Sequence, residues 1–172
     1  VRTEGEAAFY GPKLDFMFKD AIGREWQLAT VQLDYNMPKR FDLTYIDKDG
    51  SQKTPVMIHR AVSGALERFL AIIIEHFAGA FPLWLSPVQI KVLPITDTQK
   101  KYAEEVCESL KSAGIRVELD DSNETLGKKI RNAKVEKVPY FLVIGKEEQE
   151  KNVVMVESRD EGKIGAMELA PF

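Results

Sequence analysis

The sequence predicts an α+β first half built on an antiparallel sheet, followed by an α/β second half of three layers on a mixed, mainly parallel sheet. Three observations divide the 172 residues in this way. Two hairpin-type turns, Asp20-Ala21-Ile22-Gly23 and Asp47-Lys48-Asp49-Gly50, fold the N-terminal runs back on themselves. Residues 66–77 form one helical stretch that is apolar nearly all round. After the two prolines of Phe81-Pro82-Leu83-Trp84-Leu85-Ser86-Pro87, apolar runs alternate with amphipathic ones. Placing the boundary at Pro87 gives domains of residues 1–87 and 88–172.

In the first half, Tyr10-Gly11-Pro12-Lys13 sets a lysine on a rigid turn ahead of the first strand. A lysine held there suits a phosphate or carboxylate, although a lone lysine is more often a solvated surface group. Residues 14–19 alternate as a strand should, and residues 25–35 return as its partner. Gln27 and Gln32 are neutral amides in that otherwise apolar return strand, where an unpaired amide is costly. Five apart, they fall on opposite faces of a regular strand, so both can line one pocket only if the strand contains a bulge. Residues 41–46 are expected to pair with the run that ends at His59, extending the same sheet. A lone histidine at a strand end is usually a satisfied polar group rather than a metal ligand.

The apolar helix should lie buried in a domain centre, since Leu66, Phe69, Leu70, Ile73 and Phe77 form one stripe and Ile72 and Ile74 fill its flanks. Glu67-Arg68 sits at its start. A guanidinium keeps its proton, so in such a place it must be paired, reach water or face an anion. Gly64, one turn earlier, lets another group approach the backbone. His76, at the far end, is placed to cap carbonyls.

In the second half, a strand over residues 88–93 leads to the capping box Thr96-x-x-Gln99 and an amphipathic helix over 97–113 that Gly114 stops. Residues 115–119 make the next strand, 123–134 a helix, 140–144 a fully apolar strand, and 153–157 an edge strand. Strand, helix, strand, helix, strand predicts parallel pairing by right-handed crossovers.

With 44% hydrophobic and 30% charged residues, the chain can bury a core. A net charge of −3, with 10 basic and 11 acidic residues before Pro87 and 14 and 16 after it, excludes a protein held to nucleic acid by its global field. A local RNA-contacting face remains open. One cysteine, Cys107, leaves no disulfide framework or cysteine cluster for zinc. No segment approaches a membrane span and no signal pattern opens the chain, so a soluble cytoplasmic protein is expected.

Gly64-Ala65-Leu66-Glu67-Arg68-Phe69 resembles the third signature motif of class II aminoacyl-tRNA synthetases, whose arginine lies against the triphosphate of ATP. The family narrows to the threonyl-tRNA synthetases through Pro55-Val56-Met57-Ile58-His59-Arg60-Ala61 and Ala8-Phe9-Tyr10-Gly11-Pro12-Lys13. Trp26-Gln27, Thr30-Val31-Gln32-Leu33-Asp34 and Phe81-Pro82-x-Trp84-Leu85-x-Pro87 follow the same pattern, in the family's order. The resemblance implies the second half of a class II catalytic core, with the first and second motifs lying upstream, and a chain that stops at Pro171-Phe172 short of a closing helix.

By resemblance, Arg68 is the catalytic arginine and binds ATP together with Lys13 and Gln27, with magnesium helping. Tyr10 and Gln32 would flank threonine. His59 would be one of three zinc ligands, the other two lying upstream, so this stretch alone should not hold zinc tightly. Zinc with an open position grips the amino and hydroxyl groups of threonine together, which isosteric valine cannot match. Ala65 and Leu28 depart from the family, which usually has serine and commonly cysteine there.

Ala113-Gly114-Ile115-Arg116-Val117, Gly127-x-Lys129-Ile130-Arg131 and Val138-Pro139-Tyr140 resemble the anticodon-binding domain shared by threonyl, prolyl, histidyl and glycyl synthetases. Asn123, Arg131 and Glu148 match anticodon-contacting positions and should share one face, whereas Lys100 on the other helix should matter less. Glu157 stands where the family commonly has arginine, so either Arg159 takes over its role or anticodon affinity is weaker. The implied partners are ATP, threonine and tRNA(Thr), with a homodimer for the full-length enzyme and no activity from these 172 residues alone. The alternative is a non-catalytic tRNA-binding or regulatory paralogue. Upstream sequence carrying the second motif and the other zinc ligands would favour the enzyme.

Overall fold

The computed structural model describes Gly5 and residues 8–169, so the expected stop at Pro171-Phe172 lies outside the described residues. The chain divides into two compact units, with the division between Ile73 and Ile74.

In the first unit, β1 (Lys13–Lys19) and β2 (Glu25–Asp34) form an antiparallel hairpin across the Asp20 turn, and β2 also pairs with β5 (Met57–Ala61). A short helix, α1 (Met37–Arg40), follows β2. The expected third strand is a correction: residues 41–44 form no strand, and the Asp47 turn closes only a separate ribbon of β3 (Tyr45–Ile46) and β4 (Gln52–Lys53). The two faces of the three-stranded sheet differ in character. One carries Leu14, Phe16, Phe18, Trp26, Ala29 and Val31 with Arg60 among them, and the other carries Lys13, Asp15, Gln27, Thr30, Gln32 and His59 with Met17 among them.

The helix α2 (Leu66–His76) begins where expected, but none of its residues is buried, and Leu66, Leu70 and Ile74 are exposed. A helix apolar on all sides is buried only if neighbours cover every side. A three-stranded sheet does not supply them. His76 packs edge-on against Phe77, with ring centroids 4.8 Å apart, rather than capping carbonyls.

The core lies in the second unit. Its sheet runs β10 (Gly162–Glu168), β9 (Val153–Ser158), β8 (Tyr140–Ile144), β6 (Ile90–Pro94), β7 (Val117–Leu119). Strand β6 pairs in parallel with both β7 and β8, while β9 runs against its two neighbours. Alternation along the strands separates two apolar layers. Ile90, Val92, Leu142, Ile144, Val154 and Val156 pack with α3 (Lys100–Ser112), whereas Leu93 and Phe141 pack with Ala133 of α4 (Leu126–Val135). Helix, sheet and helix make the three layers. A single 3₁₀ turn, Asp97–Gln99, with the Thr96 and Gln99 capping box, starts the first helix.

Two further elements complete this sheet. α5 (Lys146–Lys151) follows β8, and β10 adds outside β9, so residues 153–157 are not an edge strand as expected. No helix among the described residues is long and apolar enough to cross a membrane.

Candidate functional site

The β1–β2 register skips one residue: Phe16 faces Ala29 and Met17 faces Gln27, so Leu28 bulges out of the ladder. The bulge turns Gln27 onto the face that already carries Gln32. Register across all three strands then aligns Lys13, Gln32 and His59 in one transverse row. Neighbouring strands lie about 4.8 Å apart, so the row is about 10 Å wide.

Hydrogen bonds fix the members of this face. Tyr10 Oη donates to Gln32 Oε1 at 3.4 Å. Lys13 Nζ lies 2.7 Å from Asp15 Oδ2, Thr30 Oγ1 donates to Asp15 Oδ1 at 2.9 Å, and Gln27 Nε2 reaches Thr30 Oγ1 at 3.4 Å. The Lys13 ammonium beside it holds the Asp15 carboxyl below its usual range. Arg68 Nη1 donates to the Gln27 carbonyl at 3.1 Å, which ties the start of α2 to the strand next to the bulge.

Sequence reading missed the role of Asp34. Its side chain is 3% exposed and lies 2.9 Å from His59 Nε2, while its other oxygen accepts the N–H groups of Asn36 at 2.8 Å and Met37 at 2.9 Å. Burial pushes this carboxyl up, but the Met37 N–H, His59 and the Asn36 N–H more than offset it and leave it below the usual range. The signal was present in Asp34-Tyr35-Asn36-Met37-Pro38, an acidic residue shortly before a helix start marked by proline. Asp34 and His59 line a cavity of about 290 Å³ with Phe9, Tyr10, Asn36, Met37 and Arg40.

No three of the histidine, cysteine, aspartate and glutamate side chains among the described residues gather as a metal-binding group. What this chain offers zinc is His59, already steadied by a carboxylate. That donor set fits one ligand of a site completed by other residues.

In the second unit, Asn123 lines a cavity of about 280 Å³ outside the C-terminal ends of β6 and β7, together with Thr96, Lys100, Asp121 and Lys129. Open α/β sheets place ligands at such strand ends. Lys129 is buried and donates to the carbonyls of Pro94 at 3.2 Å and Asp120 at 3.0 Å. Lys100 thus lines the same cavity as Asn123, and Asp121 at 3.0 Å holds its ammonium above the ordinary lysine range.

Among the described residues Arg131 has no ion pair or hydrogen-bond partner, and it projects from α4 exposed. Glu148 Oε2 accepts the N–H of Gly145 at 2.9 Å and so starts α5. No hydrogen bond or ion pair joins Asn123, Arg131 and Glu148 to one another among the described residues.

Two family models match. Residues 1–77 match the "tRNA synthetase class II core domain (G, H, P, S and T)" and residues 89–172 the "Anticodon binding domain". The threonine–tRNA ligase of Clostridium tetani is 59% identical over 99% of this chain, and that of Thermus thermophilus is 57% identical over 98%. The chain belongs to the threonyl-tRNA synthetase family. It spans about a quarter of those relatives' length, 27% and 26%. The crystal structure of the RNA-binding domain of a Cryptosporidium parvum threonyl-tRNA synthetase superposes with a TM-score of 0.84 at 42% identity, over 96% of this chain and 42% of that one.

Two of the positions singled out in the sequence now have physical settings. Leu28 is the bulged residue, and Gly64 approaches it so closely that an added Cβ would stand 2.5 Å from the Leu28 carbonyl oxygen. Glu157 lies 2.9 Å from Lys134 Nζ, which also sits 5.7 Å from the Phe141 ring centroid. Arg159, the candidate to take over at that position, is itself engaged. Its Nη1 donates to the carbonyls of Phe81 and Lys137, both at 3.0 Å, and Asp160 takes the rest of the guanidinium.

Proposed function

We propose that this chain serves a threonine–tRNA ligase, holding ATP and one side of the threonine pocket with residues 1–87 and the anticodon with residues 88–172. The parent reaction joins ATP and threonine to threonyl-adenylate, releases pyrophosphate and passes threonine to tRNA(Thr). The boundary at Pro87 falls in the stretch that neither family model covers.

The alignment of Lys13, Gln32 and His59 on one sheet face, with Gln27 turned onto that face by the Leu28 bulge, carries the reading. Adenylation needs charge on phosphate oxygens to be met by fixed donors, with Mg²⁺ as the usual metal partner of the nucleotide. Arg68, held to the Gln27 carbonyl, and Lys13, paired with Asp15, are the cations that would do so. Gln27 faces the nucleotide, and Tyr10 and Gln32, already bonded to each other, flank threonine. His59 contributes one ligand to a zinc whose open position would select the threonine hydroxyl and amino groups over valine.

Asn123 and Arg131 offer an amide and an unpaired guanidinium to unstacked anticodon bases. Glu148 brings a carboxylate already engaged in starting α5. A reduced, cytoplasmic setting suits both the reaction and the single buried thiol of Cys107. The full-length ligase is expected to be a homodimer.

Threonine-dependent pyrophosphate exchange tests the reading. A ligase carrying this chain should catalyse it, Arg68→Ala should depress it severely, and the 172 residues alone should not support it. Unchanged exchange in Arg68→Ala would make Arg68 a structural link to β2.

A further inference from the structure

We propose that Asp34 is a positioning residue that holds the proton of His59 on Nε2, making Nδ1 the ring nitrogen through which this chain binds zinc. The inference rests on the zinc reading above and concerns how the ligand is prepared.

The carboxylate cannot turn. Asp34 Oδ1 is occupied by two backbone donors at the entry to α1, Asn36 N at 2.8 Å and Met37 N at 2.9 Å, and backbone donors do not swing away as side chains do. With one oxygen committed, the other lies 2.9 Å from His59 Nε2. An ionised carboxylate only accepts hydrogen bonds, so in the neutral imidazole Nε2 must carry the hydrogen and Nδ1 the lone pair. A metal takes that lone pair, and ligating histidines characteristically donate their other N–H to a carboxylate.

The setting distinguishes this pair from an ordinary surface contact. Asp34 is 3% exposed while His59 is 46% exposed, so the anchoring end is buried and the working end is open. Both residues line the same cavity, and the Tyr10 ring meets the imidazole edge-on with centroids 6.4 Å apart. Cross-strand register sets His59 opposite Gln32 on the polar face of the sheet. The ring is thus held in place by a neighbouring strand, an aromatic ring and a fixed carboxylate before any metal arrives.

Asp34→Asn is the informative substitution. The two backbone N–H groups demand the amide oxygen, which turns the NH₂ group toward Nε2, makes Nε2 an acceptor and moves the hydrogen to Nδ1. In the full-length ligase, competition with a chromophoric chelator should then show zinc affinity about 10–100-fold lower than wild type. Thermal unfolding of both metal-free proteins checks that the variant is folded. Affinity within about threefold of wild type overturns the proposal, and a wild-type enzyme that holds no zinc overturns the zinc reading as well. Should Asp34→Asn not fold, the crystal structure of the zinc-loaded wild type decides the matter. Zinc about 2.0–2.1 Å from Nδ1 with Nε2 still on Asp34 is expected, and zinc on Nε2 overturns it.

Discussion

Gly64 stands against the carbonyl of Leu28, the one residue that bulges from β2. The bulge and the glycine form one device. The bulge pushes a backbone carbonyl out of the ladder, and the glycine, at φ +68°, leaves room for it while turning the chain into the helix that carries Arg68. Gly64→Ala should cost about 1–3 kcal/mol in stability through the left-handed backbone conformation and the blocked contact. Denaturant unfolding reads that loss, and in the full-length ligase pyrophosphate exchange should fall as Arg68 shifts. An alanine variant as stable as wild type would show that the close approach is dispensable.

The Asp20 turn should carry a pH signature. Asp20 accepts from Trp26 Nε1 at 3.0 Å, Arg24 Nε at 2.5 Å, Arg24 N at 2.9 Å and Ile22 N at 3.1 Å. The Trp26 N–H leads these donors in holding its carboxyl far below the ordinary 3.8, against the opposing pull of burial. A carboxyl depressed on folding contributes stability that is full above its unfolded value and lost as pH falls through the folded one. The stability advantage of wild type over Asp20→Asn should be flat at neutral pH and shrink only below about pH 4, with Trp26 fluorescence changing alongside. An advantage that shrinks between pH 6 and pH 8 would assign the dependence to another group.

Arg159 should be a stability residue. Its side chain is 16% exposed, and Arg159→Ala leaves the Phe81 and Lys137 carbonyls without their cationic donor. Hydrogen bonds to charged groups contribute about 1.5–3 kcal/mol each when shielded, and since the Lys137 contact is exposed to water, a loss of about 2 kcal/mol or more is expected in thermal or denaturant unfolding. If Arg159→Ala instead weakened RNA binding with stability intact, its internal bonds would be incidental.

Anticodon reading predicts a different pattern. Arg131→Ala should cost about 1–3 kcal/mol in binding a threonine tRNA anticodon stem-loop at low salt. Lys100→Ala should also weaken binding, since it shares a cavity with Asn123, whereas Lys111→Ala, paired with Glu108 on α3, should not. Equal affinity for a stem-loop with a scrambled anticodon would remove base reading from the second unit.

Cys107 should resist alkylation in the native protein. Burial pushes its thiol up to about 11, so little thiolate forms at neutral pH. Rapid labelling without unfolding would contradict its place in the core.

The second unit was largely legible because each of its strands and helices buries one face against another element. Period and packing agree there, as in the alternation of Leu142 and Ile144 with Phe141. Strand β10 escaped because Gly-Lys-Ile-Gly-Ala-Met-Glu lacks alternation and its register shifts between Lys163 and Gly165. In the first unit, the turns could be read but the pairing partner could not. Residues 41–46 have strand-like composition, yet β2 takes β5 instead, where Gln32 meets His59. The possible bulge followed from the five-residue spacing of Gln27 and Gln32, but its position did not. Only the contact with Gly64, more than thirty residues away, reveals why Leu28 is the extra residue. Asp34 was passed over because its importance lies in a bond to His59 on another strand.

Most cations of the second unit are already committed. Lys91, Lys100, Lys128 and Lys134 face carboxylates, while Arg116, Lys129 and Lys137 donate to carbonyls, which leaves Arg131 as an unpaired guanidinium among the described residues. An approaching RNA meets little long-range attraction. Encounter should proceed near the unsteered rate of about 10⁵–10⁶ M⁻¹s⁻¹, with only weak sensitivity to salt in stopped-flow mixing. Right and wrong anticodons would then arrive equally often, and the choice between them would be made by how long each stays.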